Sequence, residues 1–276
     1  MEDFIKGLPK CELHMHLFGN LEPSIVFKLA KRNNVSLPYE TPEELQAAYN
    51  FKNLGEFLDL FGVCLKVIQA PQDIYDVLID YYVHCKEDNV RYAEIYFGTR
   101  LFNTVDISPK DSLDAITKAV KDGFEQYGVK SKIILGLNRT CGEKVAYEHL
   151  DLCKDYLDIN QTTIKNFSVN NKPIVAVGLA CAEREYPPSM YQNFFKNVKE
   201  IGLKSTIHAG EEGPSEYIAQ AIDLAGADRI DHGTTANDEM IERLAREKIP
   251  VTACPISNLR LKVIKSLSDH PLKRQL

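Results

Sequence analysis

The feature that most limits the folds open to this 276-residue chain is a regular alternation of strand-like and helix-like segments. Short apolar runs are separated by amphipathic patterns, such as residues 111–127 and 238–247, in which apolar residues recur every three or four positions. Strands that alternate with helices predict a parallel sheet, because each parallel connection needs a long crossover. The predicted strands are Cys11–Leu17, Arg91–Phe97, Lys132–Leu137, Ile174–Ala180, Leu203–Ala209, Arg229–Gly233 and Val251–Pro255.

Seven such units predict the fold class α/β and, within it, a TIM-type (β/α)8 barrel, a fold of about 250 residues. Residues 268–276 are typical of the helix that would precede an eighth strand, so we expect a barrel lacking strand eight in this chain. We expect one domain over 1–276, truncated at its C-terminus, with a helical insertion at about 38–70. Residues 156–172 are polar and predict a helix and a loop.

Composition excludes several classes of partner. The net charge of −6 gives no electrostatic footprint for nucleic acid or for an anionic membrane. No apolar run reaches the roughly 18 residues of a transmembrane helix, and the N-terminus lacks the pattern of a signal peptide. The seven cysteines are scattered without a C-x-x-C pair, so we expect a cytoplasmic protein with free thiols. From the charge and the hydropathy we expect no membrane or nucleic-acid partner.

Four histidines lie at the C-terminal ends of predicted strands. His14 and His16 are two residues apart on strand one, so their side chains point to the same face. His208 and His232 end strands five and six, and the C-terminal face of a parallel barrel carries the active site. Histidines from several strands that meet there are typical of a hydrolytic zinc site. The alternative for any single histidine is a packed core residue, which is our prediction for the remaining three histidines, His84, His149 and His270.

Two further features have a chemical and a purely structural interpretation. Glu211 follows His208 by three residues and could serve as a general acid, because burial in a pocket raises the pKa of a carboxyl group. Leu54, Phe57, Leu58 and Phe61 form one apolar helical face, which is ordinary core by default and a lid over a pocket as the alternative.

Four motifs, taken together, resemble the adenosine/adenine deaminase family. They occur in the family's order and span nearly the whole chain. They are Leu8–Leu17 with Leu21-Glu22-Pro23, then His208–Glu212, then Arg229–Gly233, then Cys254–Asn258.

The resemblance implies a barrel of the metal-dependent hydrolase kind with one zinc ion. It implies His14, His16 and His208 as zinc ligands. It also implies that Glu211 protonates purine N1, and that His232 holds and helps to deprotonate the attacking water. The purine would be contacted by His16, Phe18, Leu54, Phe57, Leu58, Phe61 and Glu183, with the four residues of the apolar helix as a lid.

The chain departs from the family pattern at three places. Phe18 stands where adenosine-type members carry Asp and adenine-type members carry Glu. Ala180 replaces the usual Asp, and Glu183 falls where adenosine-type members place a glycine that contacts purine N3. The family's fourth zinc ligand, an aspartate of strand eight, is not in this chain, whereas Pro187-Pro188 looks more like the adenine-type branch.

We therefore predict zinc-dependent deamination of a small-molecule 6-aminopurine, with adenosine to inosine first and adenine to hypoxanthine as the alternative. A catalytically inactive purine-binding protein is a further alternative, since Phe18 and Ala180 depart from the family pattern. A two-metal hydrolase is disfavoured, because the fourth strand carries no lysine that could bridge two ions. The sequence leaves the oligomeric state open.

Overall fold

The computed structural model describes residues 1–159 and 172–276. In this part of the chain seven strands form one parallel sheet, and each strand neighbours the next in chain order. Every predicted strand is present, which confirms the alternation that the sequence indicates. The strands are β1 Lys10–His16, β2 Val90–Gly98, β3 Lys130–Asn138, β4 Ile174–Ala180, β5 Lys204–Ala209, β6 Arg229–His232 and β7 Val251–Thr252.

Helices separate these strands, and several begin with proline, whose missing amide hydrogen costs nothing in the first turn of a helix. The predicted helix and loop of 156–172 lie largely outside the described residues, and the helix Glu2–Gly7 was not predicted. The α-helices of the described residues are Glu2–Gly7, Pro23–Arg32, Pro42–Ala48, Leu54–Leu65, Pro71–Glu87, Pro109–Tyr127, Glu143–Leu152, Gln192–Glu200, Ser215–Asp223, Asp238–Glu247, Pro255–Arg260 and Leu272–Gln275. No helix among them combines the length and the hydropathy that a membrane span requires.

The chain divides into two compact units. The first comprises Met1–Ala47, Phe61–Leu135 and Leu150–Val175, and it contains β1 and β2. The second comprises Ala48–Leu60, Gly136–His149 and Ala176–Leu276, and it contains β5, β6 and β7. Each unit supplies part of the residues that the sequence singles out.

The core of the first unit includes a close helix pair. Helix Pro71–Glu87 supplies the fully buried ring of Tyr82, and helix Pro109–Tyr127 supplies Gly123. A Cβ atom on Gly123 would lie 2.3 Å from the Tyr82 ring. Glycine is therefore required here by the close approach of the ring.

Helix Leu54–Leu65 carries the predicted apolar face, but burial along it is distributed differently. Leu54 is buried as expected, whereas Phe57, Leu58 and Phe61 are only half-buried. The other buried residues of the helix are Leu60, Cys64 and Leu65. The helix is apolar on most of its circumference, so the spacing of its apolar residues did not determine which side is buried. The role of this helix as a lid stays a prediction.

Candidate active site

The first unit presents two histidines at the end of β1. The Nε2 atoms of His14 and His16 lie 3.2 Å apart, and the Tyr96 ring stacks on His16 with a centroid distance of 4.6 Å. Two imidazole nitrogens bound to one tetrahedral zinc ion would be about 3.3 Å apart, given Zn–N bonds of about 2.0–2.1 Å. The observed separation matches this value, so the pair fits two ligands of one metal ion. Both side chains are half-buried.

In the second unit, His208 is the last but one residue of β5, and it is paired with Asp231 of β6 in the parallel register. Nδ1 of His208 lies 3.7 Å from a carboxylate oxygen of Asp231. That carboxylate is fully buried, and it accepts hydrogen bonds from the Thr206 and Thr252 hydroxyls and from Nε of Arg229. A buried carboxylate on the Nδ1 side of the ring is a common neighbour of metal-binding histidines.

The side chain of Glu211 lies in the same unit, next to His232. One carboxyl oxygen of Glu211 is 3.5 Å from Nε2 of His232, and only 4% of Glu211 is exposed. Burial raises the pKa of Glu211 to about 8, the nearby charge of Glu183 raises the pKa further, and Arg139 opposes both effects. Glu211 is therefore largely protonated at neutral pH, as a general acid must be.

His232 is held neutral and in one orientation. Burial lowers its pKa to about 4. Its Nδ1 is 3.3 Å from Nδ2 of Asn258, whose oxygen accepts a hydrogen bond from the Thr234 hydroxyl and lies 3.3 Å from Nε2 of His270. With the Asn258 amide assigned in this way, Asn258 donates to Nδ1 and the proton of His232 is on Nε2, on the side of Glu211.

The backbone of His232 is also unusual. Its φ angle is 77°, in the left-handed region that few residues other than glycine adopt. This conformation ends β6 abruptly and turns the chain at Gly233, whose φ is also positive. The turn places the His232 ring 5.1 Å from the His208 ring, measured between centroids.

Sequence reasoning missed Asn258 as a functional candidate and assigned His270 to ordinary packing. His270 is indeed buried, but it contacts the same amide that orients His232. The only signal for Asn258 was its place in the motif Cys254–Asn258, and nothing in the sequence indicates which ring it contacts.

Two predicted purine contacts have other neighbours in this structure. Phe18 is buried in the first unit, and its ring centroid lies 6.2 Å from that of Phe97. Glu183 is buried in the second unit, and its carboxylate accepts hydrogen bonds from the backbone amides of residues 210 to 213. A contact of either side chain with a purine stays a prediction.

Comparison with known proteins shows to which family the chain belongs. The family model named adenosine deaminase matches residues 9–276. The chain belongs to the adenosine deaminase family. An adenine deaminase from Bordetella parapertussis is 40% identical over 98% of this chain and 81% of the relative. An adenine deaminase from Hahella chejuensis is 39% identical over 100% of this chain and 79% of the relative.

Solved structures confirm the predicted fold class. The crystal structure of an adenine deaminase from Arthrobacter aurescens superposes with a TM-score of 0.85 and 34% identity, over 97% of this chain and 78% of that one. This likeness identifies the fold as an amidohydrolase-type TIM barrel. An amidohydrolase from Burkholderia ambifaria with bound Zn shares the fold, with a TM-score of 0.83 and 24% identity over 99% of this chain and 73% of that one.

Proposed function

We propose that this chain is an adenine deaminase, which hydrolyses adenine to hypoxanthine and ammonia. The observation that carries the proposal is its identity of 38–40% to several relatives named adenine deaminase, over at least 98% of its length. This reverses the order given by the sequence motifs, in which adenosine came first. Pro187-Pro188, the adenine-type feature of the sequence, supports the same order.

The proposal includes one zinc ion held by His14, His16 and His208. The 3.2 Å separation of the first two Nε2 atoms and the buried Asp231 beside His208 support these ligands. Neutral imidazoles suit zinc, and each of the three residues lies within two positions of the C-terminal end of its strand. When bound, a zinc ion makes water a strong nucleophile at neutral pH.

The protein's own side chains would move and hold the protons of the reaction. Glu211, protonated at neutral pH, would donate its proton to N1 of adenine, which makes C6 more electrophilic. His232, neutral with its proton on Nε2, would hold the attacking water by a hydrogen bond. Water adds at C6 and gives up both of its protons. One returns to Glu211, and the other joins the amino nitrogen as its bond to C6 breaks, so that ammonia leaves and hypoxanthine keeps the proton at N1.

A direct test compares adenine and adenosine with the zinc-loaded chain in an ultraviolet deamination assay. We expect a higher kcat/KM on adenine, and we expect Glu211→Gln to lower kcat by about 100-fold or more, because the proton donor is lost. Higher turnover of adenosine would restore the first interpretation of the motifs. Binding of adenine without turnover of either compound would identify a purine-binding protein instead.

The ligand assignment needs a separate measurement. Single alanine variants at His14, His16 and His208 should each lower the zinc content of the protein, measured by plasma mass spectrometry. His84→Ala is the matched control, because His84 lies on helix Pro71–Glu87 and is not a proposed ligand. Unchanged zinc content in any of the three variants would remove that residue from the ligand set.

A further inference from the structure

The backbone segment 208–213 is held by a buried carboxylate from elsewhere in the second unit. The carboxylate of Glu183, which is not exposed at all, accepts four backbone hydrogen bonds. One oxygen accepts from the amide of Gly210 at 2.7 Å. The other accepts from the amides of Glu211, Glu212 and Gly213, at 2.9, 2.8 and 2.8 Å.

These four amides follow the last residue of β5, so they have no partner strand to bond to. Buried amides need an acceptor, and successive amides in a turn form a concave site for an anion. A carboxylate meets this need better than an amide side chain would, because both of its oxygens accept and neither donates. The conformation of the turn therefore depends on the Glu183 carboxylate.

The shape of the turn is adapted to this carboxylate. A Cβ atom on Gly213 would lie 2.5 Å from the Tyr217 ring and 2.6 Å from a Glu183 oxygen, so a larger residue there would displace one or both of them. Gly210 has a φ of 73°, and a Cβ on it would lie 2.8 Å from the Ile218 side chain. Both ends of the turn are thus fixed by the space around them.

Arg139 holds the start of the same segment. Its guanidinium is fully buried, donates to the backbone oxygen of His208, and donates to the backbone oxygen of Tyr186 at 3.3 Å. Its own backbone oxygen accepts a hydrogen bond from the Tyr191 hydroxyl at 2.6 Å. The positive charge of Arg139 also offsets the buried charge of Glu183.

We propose that Glu183 is a positioning residue, which fixes the Gly210–Gly213 backbone and so keeps the Glu211 carboxyl against His232. The proposal rests on the proposed function, in which Glu211 is the proton donor. Because Glu183 acts through Glu211, its loss should affect the chemical step more than the binding of adenine. A direct contact of the Glu183 side chain with the purine would have the opposite signature, a raised KM.

The test uses the zinc-loaded full chain with Glu183→Gln and Glu183→Asp. Glutamine has the same length but turns an NH2 group towards backbone donors, so we expect kcat to fall by about 100-fold with KM changed less than about threefold. Aspartate keeps the charge and should recover part of the lost kcat. Asp228→Asn is the matched control, because Asp228 accepts the Ser205 amide at the other end of β5.

Hydrogen exchange of the 210–213 amides gives a readout that does not depend on activity. In Glu183→Gln these amides should exchange at least about tenfold faster than in the parent, while Asp228→Asn should leave them unchanged. Unchanged exchange together with unchanged kcat would overturn the proposal, and so would a raised KM at constant kcat. If Glu183→Gln does not fold, Glu183→Asp is judged by the same two measurements.

The two proposals fail in different ways. A parent chain that binds zinc but deaminates no purine would overturn the proposed function. The exchange measurement would then still decide whether Glu183 fixes the backbone of the turn.

Discussion

Among single residues, Glu211 shows most directly how folding sets a chemical property. Its carboxyl group is buried with little compensating charge, so the folded protein favours the neutral acid. A carboxyl group whose pKa is raised in this way lowers the stability of the fold at neutral pH, because the unfolded chain is free to ionise it. The proposed proton donor is therefore kept neutral at the expense of the stability of the fold.

The first prediction concerns Glu211→Gln in the metal-free protein. The unfolded carboxyl titrates near 4.5 and the folded one at about 8, so the parent loses stability as the pH rises between these values. The variant, which cannot ionise, should gain on the parent by on the order of 3 kcal/mol between pH 5 and pH 8, with no further change above pH 8.

Urea unfolding in the presence of a chelator, repeated across this pH range, measures the difference. Glu125→Gln is the control, because Glu125 is exposed on helix Pro109–Tyr127. A constant difference between Glu211→Gln and the parent at all pH values would mean that the raised pKa is wrong.

The second prediction concerns the amide that orients His232. Asn258→Asp replaces the donor at His232 Nδ1 with an acceptor, which moves the proton of the ring from Nε2 to Nδ1. If Nε2 holds the attacking water as a donor, kcat should fall by about tenfold or more with little change in KM. Retention of kcat would instead support the role of a base, in which Nε2 accepts a proton.

At this scale the sequence predicts a residue well when its place in the fold is local. His14, His16, His208 and His232 each lie within two residues of the C-terminal end of a strand, and strand ends follow from short-range patterns. Glu183 and Asn258 contact partners that lie 26 to 30 residues away along the chain. Such contacts depend on how distant segments pack, which residue spacing does not encode.

Among the elements, helices Pro71–Glu87 and Pro109–Tyr127 pack so closely that only glycine fits at position 123 beside the Tyr82 ring. The third prediction is that Gly123→Ala lowers the free energy of unfolding by about 1–3 kcal/mol. Alanine is the better helix former by about 1 kcal/mol, but the Tyr82 ring is fully buried and cannot move aside.

Chemical denaturation measures this effect. Gly7→Ala serves as the control, since a Cβ on Gly7 would meet nothing within 4 Å. Equal stability of the Gly123 variant and the parent would show that the helices separate at no cost.

The ends of the elements were predicted closely where capping or proline marks them. Helix Asp238–Glu247 agrees at both ends, and the Asn237 side chain caps its first turn. Strand β7 is shorter than predicted, because Pro255 starts a helix that the apolar pattern did not separate from it. The buried side of helix Leu54–Leu65 could not be deduced from residue spacing, since that helix is apolar on most of its circumference.

For the whole molecule, the proposed zinc ion links binding to stability. An ion that binds only the folded chain stabilises it by about 2.7 kcal/mol at 100 times its dissociation constant. The fourth prediction is that added zinc raises the Tm of the parent in a concentration-dependent way, and that His14→Ala abolishes this rise. The measurement is thermal unfolding at several zinc concentrations, with His84→Ala expected to respond like the parent.

A zinc response in the His14 variant equal to that of the parent would place the ion elsewhere. Removal of the metal should also abolish deamination, and restored zinc should recover it.

The left-handed backbone of His232 has a consequence for how this protein tolerates variation. The residue at this position must satisfy two separate requirements, an imidazole ring in the site and a backbone φ angle of 77°. Glycine, asparagine and aspartate meet the second requirement without the first, while β-branched residues strain the backbone by about 1–2 kcal/mol. In a complete substitution scan at this position, soluble yield should therefore follow the preference of each residue for a positive φ angle, whereas only histidine should retain activity. Abundance and function would thus depend on different properties of the same residue.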